Sequence, residues 1–350
     1  MRVLIDTTFL RRGPTGTGVY VEALCGALRA IGVDVLTAAN ERRRPPAGGG
    51  AGSWANLVGD ARWTHVELPR RVRESGADVL HHPLPAHSAS ARCAQVLTVH
   101  DLGYERVPED FDPRFRAFAR VAYPRAARRA DALVCVSRTT ARDVAARWAL
   151  RGDRVVVAAH GPGQAGGAPQ RPSGAVARGG HLLYVGDEEP RKNLPLLLAA
   201  YRRYRETARA PLGLVLAGAA RASGPGIAVE PAPTRDRLAA LYAGAAALVA
   251  PARHEGFGLT ALEAMAAGAP VLAARTGAHV EVCGDAARYF DPRDPVDLAQ
   301  SIGELAASER ERGELARRGR ARVAAYAWER SARAHLAAYT LAVSHRRSHA

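Results

Sequence analysis

The sequence predicts an α/β protein built from two doubly wound parallel sheets, each with helices on both faces. Three observations support this class. Short apolar runs alternate with stretches of helical periodicity along all 350 residues. The runs fall into two sets of six, separated by a stretch crowded with Gly, Pro and Ala at residues 161–180. The chain is also long enough for two domains.

Twelve strands are predicted, six in each half of the chain. The first six are Val3–Ile5, Val33–Thr37, Asp78–His81, Gln95–His100, Ala132–Val136 and Arg154–Ala158. The second six are His181–Val185, Leu212–Ala217, Ile227–Glu230, Ala246–Ala250, Pro270–Ala273 and Arg288–Phe290. The segments between them are predicted helices, and one has apolar residues at i, i+3, i+4 and i+7, starting at Val21.

We therefore predict two Rossmann-like domains that face each other across a cleft. The N-terminal domain is expected at residues 1–165, a hinge or linker at 166–180, and the C-terminal domain at 181–325. Ligands of such open sheets bind beyond the carboxyl ends of the strands, so the cleft is the expected site. Closure about the hinge would exclude water from it.

The net charge of +15 would normally suggest a nucleic acid or an anionic membrane as a partner. However, Lys192 is the only lysine among 49 basic residues, a skew typical of GC-rich codon usage, and both halves of the chain share the excess charge. We expect no nucleic-acid partner, and a basic nucleic-acid-binding protein remains only the non-enzyme alternative. In a chain that uses arginine elsewhere, the one lysine indicates a specific role.

Composition excludes several other classes. Hydrophobic residues make up 47% of the chain, so disorder is not expected. No signal peptide is visible, and the longest weakly apolar stretch, Leu241–Ala252, is well below the ~20 residues of a membrane span. The four cysteines form no Cys-x-x-Cys pair, so neither a disulfide framework nor a zinc site is expected. We expect a cytoplasmic protein.

Residues 251–271 give the strongest functional signal. A predicted strand ends in a Glu-Gly-Phe-Gly turn at 255–258, which opens a helix. Gly256 and Gly258 allow a ligand to approach the backbone closely, and a helix N-terminus offers N–H groups to a phosphate. Glu263, one turn into the helix, can accept hydrogen bonds from the vicinal hydroxyls of a ribose. The alternative is a solvated surface glutamate.

A second turn between a strand and a helix contains Glu-Pro-Arg-Lys-Asn at residues 189–193. Arg191 and Lys192 suit a diphosphate, because arginine can bind it through two parallel hydrogen bonds and lysine adds a compact charge. The alternative is a pair of solvated loop cations, and the scarcity of lysine argues against it.

Three further elements give weaker signals. Gly16 and Gly18 belong to a glycine-rich turn that can bind phosphate but matches neither a P-loop nor a dinucleotide fingerprint. His100 and Asp101 end a predicted strand, where a structural hydrogen bond is the alternative to a catalytic dyad. The Asp-Phe-Asp run at 110–112 has the spacing of a metal site, but prolines flank it and we interpret it as chance.

Together these motifs resemble those of the family 4 retaining glycosyltransferases, which have the GT-B fold of two Rossmann-like domains. The resemblance covers nearly the whole chain. Its most specific part is the Glu-Gly-Phe-Gly-Leu-x-x-Leu-Glu-Ala-Met-Ala-x-Gly-x-Pro-Val run at residues 255–271. The motifs at 189–193 and 100–101 match as well, as do Val-Ser-Arg-Thr-Thr at 136–140 and Trp-Glu at 328–329.

The resemblance implies roles for two groups of residues. The catalytic residues would be His100, Arg191, Lys192 and Glu255. The donor-binding residues would be Gly16, Gly18, Asp101, Gly256, Phe257, Gly258, Leu259 and Glu263. Within these groups, Glu263 would bind the nucleotide ribose, Arg191 and Lys192 the diphosphate, and Glu255 and His100 would lie beside the sugar.

The implied activity is the transfer of a hexose, with retention, from a nucleotide-diphosphate sugar to a glycan, lipid-linked or small-molecule acceptor. The expectation that the sugar is mannose and the nucleotide a guanine nucleotide comes only from the resemblance to the Glu-Pro-Arg-Lys-Asn subgroup. Neither a metal nor a further cofactor is expected. No carboxylate is placed as an obvious nucleophile, which favours front-face substitution in which the leaving phosphate helps to deprotonate the acceptor. A nucleotide-sugar epimerase or hydrolase on the same fold is the alternative.

The resemblance also has a consequence for the C-terminus and two departures. Residues 326–350 would form a helix that crosses back to the N-terminal domain. Gly186-Asp187 replaces the Gly-Arg of many relatives, so the arginine role is expected at Arg191. His-Gly-Pro-Gly at residues 160–163 replaces Asn-Gly or His-Gly-Val.

One segment of the N-terminal half is both basic and aromatic. Its arginines are Arg114, Arg116, Arg120, Arg125, Arg128 and Arg129. Its apolar residues are Phe115, Phe118, Val121 and Tyr123. One hypothesis is that it docks peripherally on the anionic inner face of a membrane to reach a lipid-linked acceptor. The alternative is two ordinary surface helices, broken at Pro124.

Overall fold

The chain forms two compact units, each built on one six-stranded sheet. The computed structural model describes residues 1–12, 16–43, 59–150, 152–163, 180–218 and 222–348. The first unit comprises Met1–Leu102, Pro113–Gly161 and Trp328–Ala350. The second comprises Gly103–Asp112 and Pro162–Ala327. Residues 164–179, most of the predicted linker, lie outside the described residues.

All strands of the two sheets are parallel, as the alternating pattern predicts. The first sheet contains β1 (Arg2–Asp6), β2 (Asp34–Ala38), β3 (Val79–His82), β4 (Ala94–Val99), β5 (Ala132–Cys135) and β6 (Val155–Val157). The second contains β7 (His181–Val185), β8 (Leu214–Ala217), β9 (Ile227–Glu230), β10 (Ala245–Ala250), β11 (Val271–Ala274) and β12 (Ala287–Phe290). Each of the twelve predicted strands is therefore confirmed, with small shifts at the ends.

The α-helices lie between the strands and after them. They are α1 (Gly16–Ala30), α2 (Leu68–Ser75), α3 (Gly103–Arg106), α4 (Pro113–Arg129), α5 (Arg138–Trp148), α6 (Leu194–Thr207), α7 (Arg235–Gly244), α8 (Leu259–Ala266), α9 (Gly277–Cys283), α10 (Pro295–Ala307), α11 (Glu309–Val323) and α12 (Trp328–Ser348). Short 3-10 turns are formed by Thr8–Arg12, Pro108–Asp110, Gly152–Arg154, Pro190–Lys192 and Gly284–Ala286. A π-helical turn, Trp63–Glu67, precedes α2.

Both faces of the first sheet are buried. On β1, Val3 and Ile5 pack into one core cluster with α1 and α12, whereas Leu4 packs into another with α2. This alternation is what a doubly wound sheet requires, because successive side chains of a strand point to opposite faces. The last helix, α12, completes the first unit by packing against α1 and strands β3 to β6.

The strand order of the second sheet is β12-β11-β10-β7-β8-β9. Numbered from its own first strand, this is the 3-2-1-4-5-6 order of the Rossmann fold. The order reverses between β7 and β10, and ligands of such sheets bind outside the carboxyl ends of the strands at that switch point. The predicted α/β class is therefore confirmed in both sheets, and the second has a defined place for a ligand.

Two expectations about segment boundaries need correction. The predicted break at Pro124 is wrong, because α4 runs unbroken through this residue. A proline inside a helix removes one hydrogen bond, but Pro124, Ala119 and Ala126 are all buried, and burial stabilises the helix before and after the proline. The units also differ from the predicted domains, since Gly103–Asp112 belongs with the second unit.

Candidate active site

The loops after β7 and β10 leave the second sheet side by side, because these strands are parallel neighbours. The loop after β7 leads into the 3-10 turn Pro190–Lys192, and the loop after β10 leads to Glu255. The switch point of the sheet therefore brings two segments together that are far apart in the sequence.

The central contact of this site is an ion pair between Lys192 and Glu255. Lys192 Nζ donates a hydrogen bond to Glu255 Oε1 over 2.7 Å. Arg191 adds a second cation, with its guanidinium 3.7 Å from Glu255 Oε2 and 2.9 Å from Glu189 Oε2. The side chains of Arg191 and Lys192 are each 19% exposed and that of Glu255 is 14% exposed. The alternative of a pair of solvated loop cations is therefore wrong.

Glu255 is held in its charged form. Burial by itself would raise the pKa of this carboxyl, but Lys192 and Arg191, with a smaller contribution from His279, outweigh burial and lower the pKa to about 2. The carboxylate is therefore ionised at neutral pH and lies beside the two cations, Arg191 and Lys192.

Backbone contacts fix the two loops to each other. The backbone N–H of Arg253 donates to the carbonyl of Arg191 over 2.9 Å. Asn193 Nδ2 donates to the carbonyls of Pro251 and Pro292 over 3.1 and 2.9 Å, and Asn193 itself has a left-handed backbone with φ +59°. Main-chain geometry therefore sets the separation of Lys192 and Glu255.

The turn from Gly256 to Gly258 leads directly into α8. Gly258 has φ +92°, a conformation that glycine adopts without strain. Phe257 is 5% exposed and packs edge-on against Tyr326, with ring centroids 5.8 Å apart. Leu259 is the first residue of α8, so the helix presents its free N–H groups beside Glu255.

Glu263 faces the protein interior, where Tyr242 of α7 donates to its carboxylate over 2.6 Å. Glu263 is 3% exposed, so the alternative of a solvated surface glutamate is wrong. Burial raises the pKa of Tyr242 well above its usual value, and Glu263 raises it further, so the phenol remains a hydrogen-bond donor.

The remaining predicted residues lie in the first unit. His100 follows β4, and its Nε2 lies 3.0 Å from the carbonyl of Pro83. A carbonyl only accepts, so Nε2 has the proton and Nδ1 is the acceptor. Burial lowers the pKa of His100, while Asp101 acts in the opposite direction. The rings of Tyr20, on α1, and His100 form a T-shaped pair with their centroids 4.9 Å apart.

Gly16 and Gly18 form the first turn of α1, the helix that contains Tyr20. Gly16 is exposed, and no atom lies within 4 Å of the place where a Cβ would be. Gly18 is buried. The beginning of α1 and the end of β4 are therefore close neighbours through the contact between Tyr20 and His100.

A chain of hydrogen bonds runs behind His100 through the buried interior of the first unit. Its members are Tyr339, His81, Thr98, Tyr20, His335 and the carbonyl of Ser331. His335 Nδ1 lies 2.7 Å from that carbonyl and must donate to it, so His335 Nε2 accepts from Tyr20.

The same reasoning fixes every other proton of the chain. Thr98 donates to Tyr20, His81 Nε2 donates to Thr98, and Tyr339 donates to His81 Nδ1. Burial lowers the pKa of His81 and of His335, so both rings are neutral, and these hydrogen bonds leave each with one defined tautomer.

The Asp-Phe-Asp run at 110–112 has a structural partner. Asp110 and Glu109 both bind the guanidinium of Arg253, with Asp110 Oδ1 2.8 Å from Nη1. This pairing explains why Gly103–Asp112 belongs to the second unit. Within the described parts of the chain, no group of three or more His, Cys, Asp or Glu side chains is arranged to hold a metal ion.

The predicted site residues thus form two groups. The second unit holds Arg191, Lys192, Glu255, Gly256, Phe257, Gly258, Leu259 and Glu263. The first unit holds Gly16, Gly18, His100 and Asp101. Tyr20, Tyr242 and His279 are not among the site residues that the sequence predicts. Of these, only His279 could have been predicted as a site residue, because it lies shortly after a strand. The carboxyl end of that strand, β11, lies beside that of β10.

Solved structures share this arrangement of two sheets. Sucrose-phosphate synthase from Thermosynechococcus elongatus matches with a TM-score of 0.75 at 19% identity, over 97% of this chain and 98% of that one. Anabaena HepE, solved in complex with UDP and glucose, matches with a TM-score of 0.69 at 17% identity, over 96% and 98%. The fold and the site at its switch point define a protein of the GT-B class.

Two family models match the chain. Residues 14–162 match Glycosyltransferase Family 4, and residues 179–308 match Glycosyl transferases group 1. Together they cover about four-fifths of the sequence. The first half of the chain is therefore similar to Glycosyltransferase Family 4 and the second half to Glycosyl transferases group 1.

Curated relatives agree with this assignment. O-antigen chain mannosyltransferase B of Escherichia coli is 33% identical over 176 residues, and MMP alpha-(1->4)-mannosyltransferase of Mycolicibacterium hassiacum is 40% identical over 113. These alignments cover 46% and 31% of this chain. They cover 46% and 28% of the length of the two relatives, so this chain matches less than half of each relative. D-inositol 3-phosphate glycosyltransferase of Acidothermus cellulolyticus is 29% identical over 95% of this chain and 87% of its own length.

Proposed function

We propose that the protein transfers a hexose, with retention of anomeric configuration, from a nucleotide-diphosphate sugar to a glycan, lipid-linked or small-molecule acceptor. The observation that supports this most directly is the cluster of Arg191, Lys192 and Glu255 at the switch point of a Rossmann sheet, beside the N-terminus of α8. The two mannosyltransferase relatives make GDP-mannose the first donor to test.

The proposed chemistry follows from charge. Breaking the anomeric C–O bond leaves a diphosphate whose negative charge grows as the bond lengthens. Arg191, Lys192 and the N–H groups at the start of α8 oppose that charge, and removing one such donor typically costs about 2.7–4 kcal/mol. In the proposed reaction these groups stabilise the diphosphate in place of a metal ion, and the reaction needs no cofactor.

Retention without a covalent intermediate is supported by the state of Glu255. A carboxylate with a pKa of about 2 and an ion pair to Lys192 is a weak nucleophile. Retaining glycosidases, in contrast, use a second carboxylate to attack the sugar. We therefore favour a front-face reaction in which the acceptor hydroxyl gives its proton to the departing phosphate oxygen.

A screen of GDP-, UDP- and dTDP-sugars tests this function. We expect the purified protein to hydrolyse one donor slowly and to transfer its sugar, with unchanged anomeric configuration by NMR, when an acceptor is added. Release of an epimerised sugar nucleotide, or hydrolysis that no acceptor suppresses, would instead support the epimerase or hydrolase alternative. Affinity only for arbitrary DNA, falling with salt, would support the nucleic-acid alternative.

For a lipid-linked acceptor, the proposed function includes contact between helix α4 and an anionic membrane. On α4, Phe115, Phe118 and Val121 are 39%, 52% and 49% exposed, and they recur every third residue along one side of the helix. The arginines Arg114, Arg120, Arg125, Arg128 and Arg129 are exposed on the same helix. Exposed aromatic residues among cations suit a bilayer with anionic headgroups, where each cation adds ~1 kcal/mol. In the described part of the chain, no helix is long and apolar enough to cross a membrane.

Vesicle co-sedimentation tests this contact. We expect binding to vesicles that contain anionic lipid, weak binding to neutral vesicles, and loss of binding in Phe118→Ser. Val296→Ser is the matched control, because Val296 is 50% exposed but lies on α10 in the second unit. Equal sedimentation with anionic and neutral vesicles at low salt would leave α4 an ordinary surface helix.

A further inference from the structure

His279 is a buried histidine beside the proposed donor site, and none of the functional motifs includes it. It lies in the first turn of α9, directly after β11, and is 1% exposed. β11 pairs with β10, the strand that leads to Glu255, so both residues lie at the same edge of the sheet. Electrostatic interactions couple His279 to Glu255, Lys192 and His254.

The hydrogen bonds of His279 fix its tautomer. Nδ1 lies 3.0 Å from the carbonyl of Ala274, and a carbonyl only accepts, so Nδ1 has the proton. Burial lowers the pKa of His279, and the ring is neutral. Nε2 is therefore a hydrogen-bond acceptor with a free lone pair. Among the described residues, none donates a hydrogen bond to this nitrogen.

The edge of the ring that contains Nε2 faces the glycine turn before α8. A Cβ placed on Gly258 would lie 2.9 Å from Cδ2 of His279 and 3.5 Å from Nε2. The ring thus packs against the backbone that leads from Glu255 into the helix. A leucine would fill this space equally well, so packing against the turn does not by itself require a ring with an acceptor nitrogen.

The chemistry of a lone pair restricts what can bind to it. Phosphate oxygens are acceptors and would be repelled, so the partner of Nε2 must supply a proton. We propose that His279 Nε2 accepts a hydrogen bond from a hydroxyl group of the donor sugar and contributes to the choice of that sugar. This role deepens the proposed function and rests on it.

Titration calorimetry with GDP and with GDP-mannose tests the role of His279. The variants are His279→Leu, which keeps the volume without an acceptor, and His279→Gln, which restores one near the position of Nε2. We expect His279→Leu to bind GDP as the wild type does but to lose affinity for GDP-mannose about threefold to tenfold, as expected for one neutral hydrogen bond. His279→Gln should recover part of this loss.

Two results would overturn the role. One is an unchanged ratio of the two affinities in His279→Leu. The other is an equal loss for GDP and GDP-mannose, which would mean that the ring only supports the glycine turn. If the wild type binds none of the GDP-, UDP- or dTDP-sugars, the proposed function itself fails. If another sugar nucleotide binds, the comparison is made with that sugar and its nucleotide. Thermal unfolding of each variant verifies that it is folded.

Discussion

The ammonium group of Lys192 lies 2.7 Å from Glu255 Oε1, although the two residues are 63 positions apart in the chain. This ion pair joins the two loops that leave the second sheet on either side of its switch point. A diphosphate that binds Lys192 must share the cation with Glu255. The balance between these two anions is the basis of the first two predictions.

Lys192→Arg should reduce turnover at least about tenfold, which corresponds to about 1.4 kcal/mol of transition-state stabilisation. Arginine is longer and planar, so it cannot place a compact charge between Glu255 and a phosphate. Donor affinity should fall less than turnover, because the charge on the leaving group is largest as the bond breaks. Steady-state kinetics measure both, with the exposed Arg202→Lys as the control. Wild-type turnover in Lys192→Arg would contradict the specific role.

Glu255→Gln should bind GDP more tightly and turn over more slowly. The substitution removes the negative charge that competes for Lys192, so the two cations attract the diphosphate more strongly. Turnover falls because the carboxylate no longer positions Lys192. Calorimetry and kinetics give the two quantities separately, and weaker GDP binding would show that Glu255 contributes to the nucleotide site in another way.

Glu263→Gln should weaken GDP binding by about 1.5–3 kcal/mol, the usual contribution of a hydrogen bond to a charged group. The amide keeps the size of the side chain and still accepts from Tyr242, so the fold should remain intact. Tyr242→Phe is the companion variant, since it keeps the carboxylate and removes only its phenolic donor. Calorimetry that finds an unchanged affinity for the free nucleotide would exclude Glu263 from the ribose site.

Activity should survive exhaustive treatment with EDTA. Asp110, the first carboxylate of the Asp-x-Asp run, is bound to Arg253, and in the proposed function Arg191 and Lys192 oppose the charge of the leaving diphosphate. Turnover is measured before and after chelation and again with added magnesium or manganese. A loss that either metal restores would establish a metal requirement.

The first unit should lose stability as the pH falls from about 6.5 to 4. Burial lowers the pKa of His335 to about 4 and that of His81 well below its usual value. Above pH 6.5 both histidines are neutral in the folded and in the unfolded chain. Their titration therefore does not change the free energy of unfolding in that range. Below it, the unfolded chain takes up protons that the folded chain refuses until about pH 4. His335 alone accounts for about 3 kcal/mol over this range.

Urea unfolding at pH 7 and pH 4.5, followed by tryptophan fluorescence, measures this effect, because Trp63, Trp148 and Trp328 all belong to the first unit. His335→Asn should be less stable than the wild type at pH 7, and the difference should shrink at pH 4.5. A difference that stays constant with pH would show that His335 is not the titrating group.

The sequence by itself was sufficient to locate the strands. The twelve short apolar runs of the sequence form twelve strands in the structure, because a parallel strand buried on both faces must be apolar along its length. The glycine turn before α8 was equally visible, since few residues other than glycine adopt φ +92°. Pro124 was misread because the burial of its helix on both sides of the proline, at Ala119 and Ala126, is not a local property.

The motifs in the sequence also predicted which residues form the candidate site, but the tertiary structure decided how they interact. No sequence pattern indicates that Lys192 faces Glu255, that Tyr242 donates to Glu263, or that His279 packs on Gly258. These contacts depend on the order of strands in the sheet, which places β7 beside β10 and β10 beside β11. Propensity and periodicity act over a few residues, whereas strand order and the charge balance of a site arise from segments that meet only when the chain has folded.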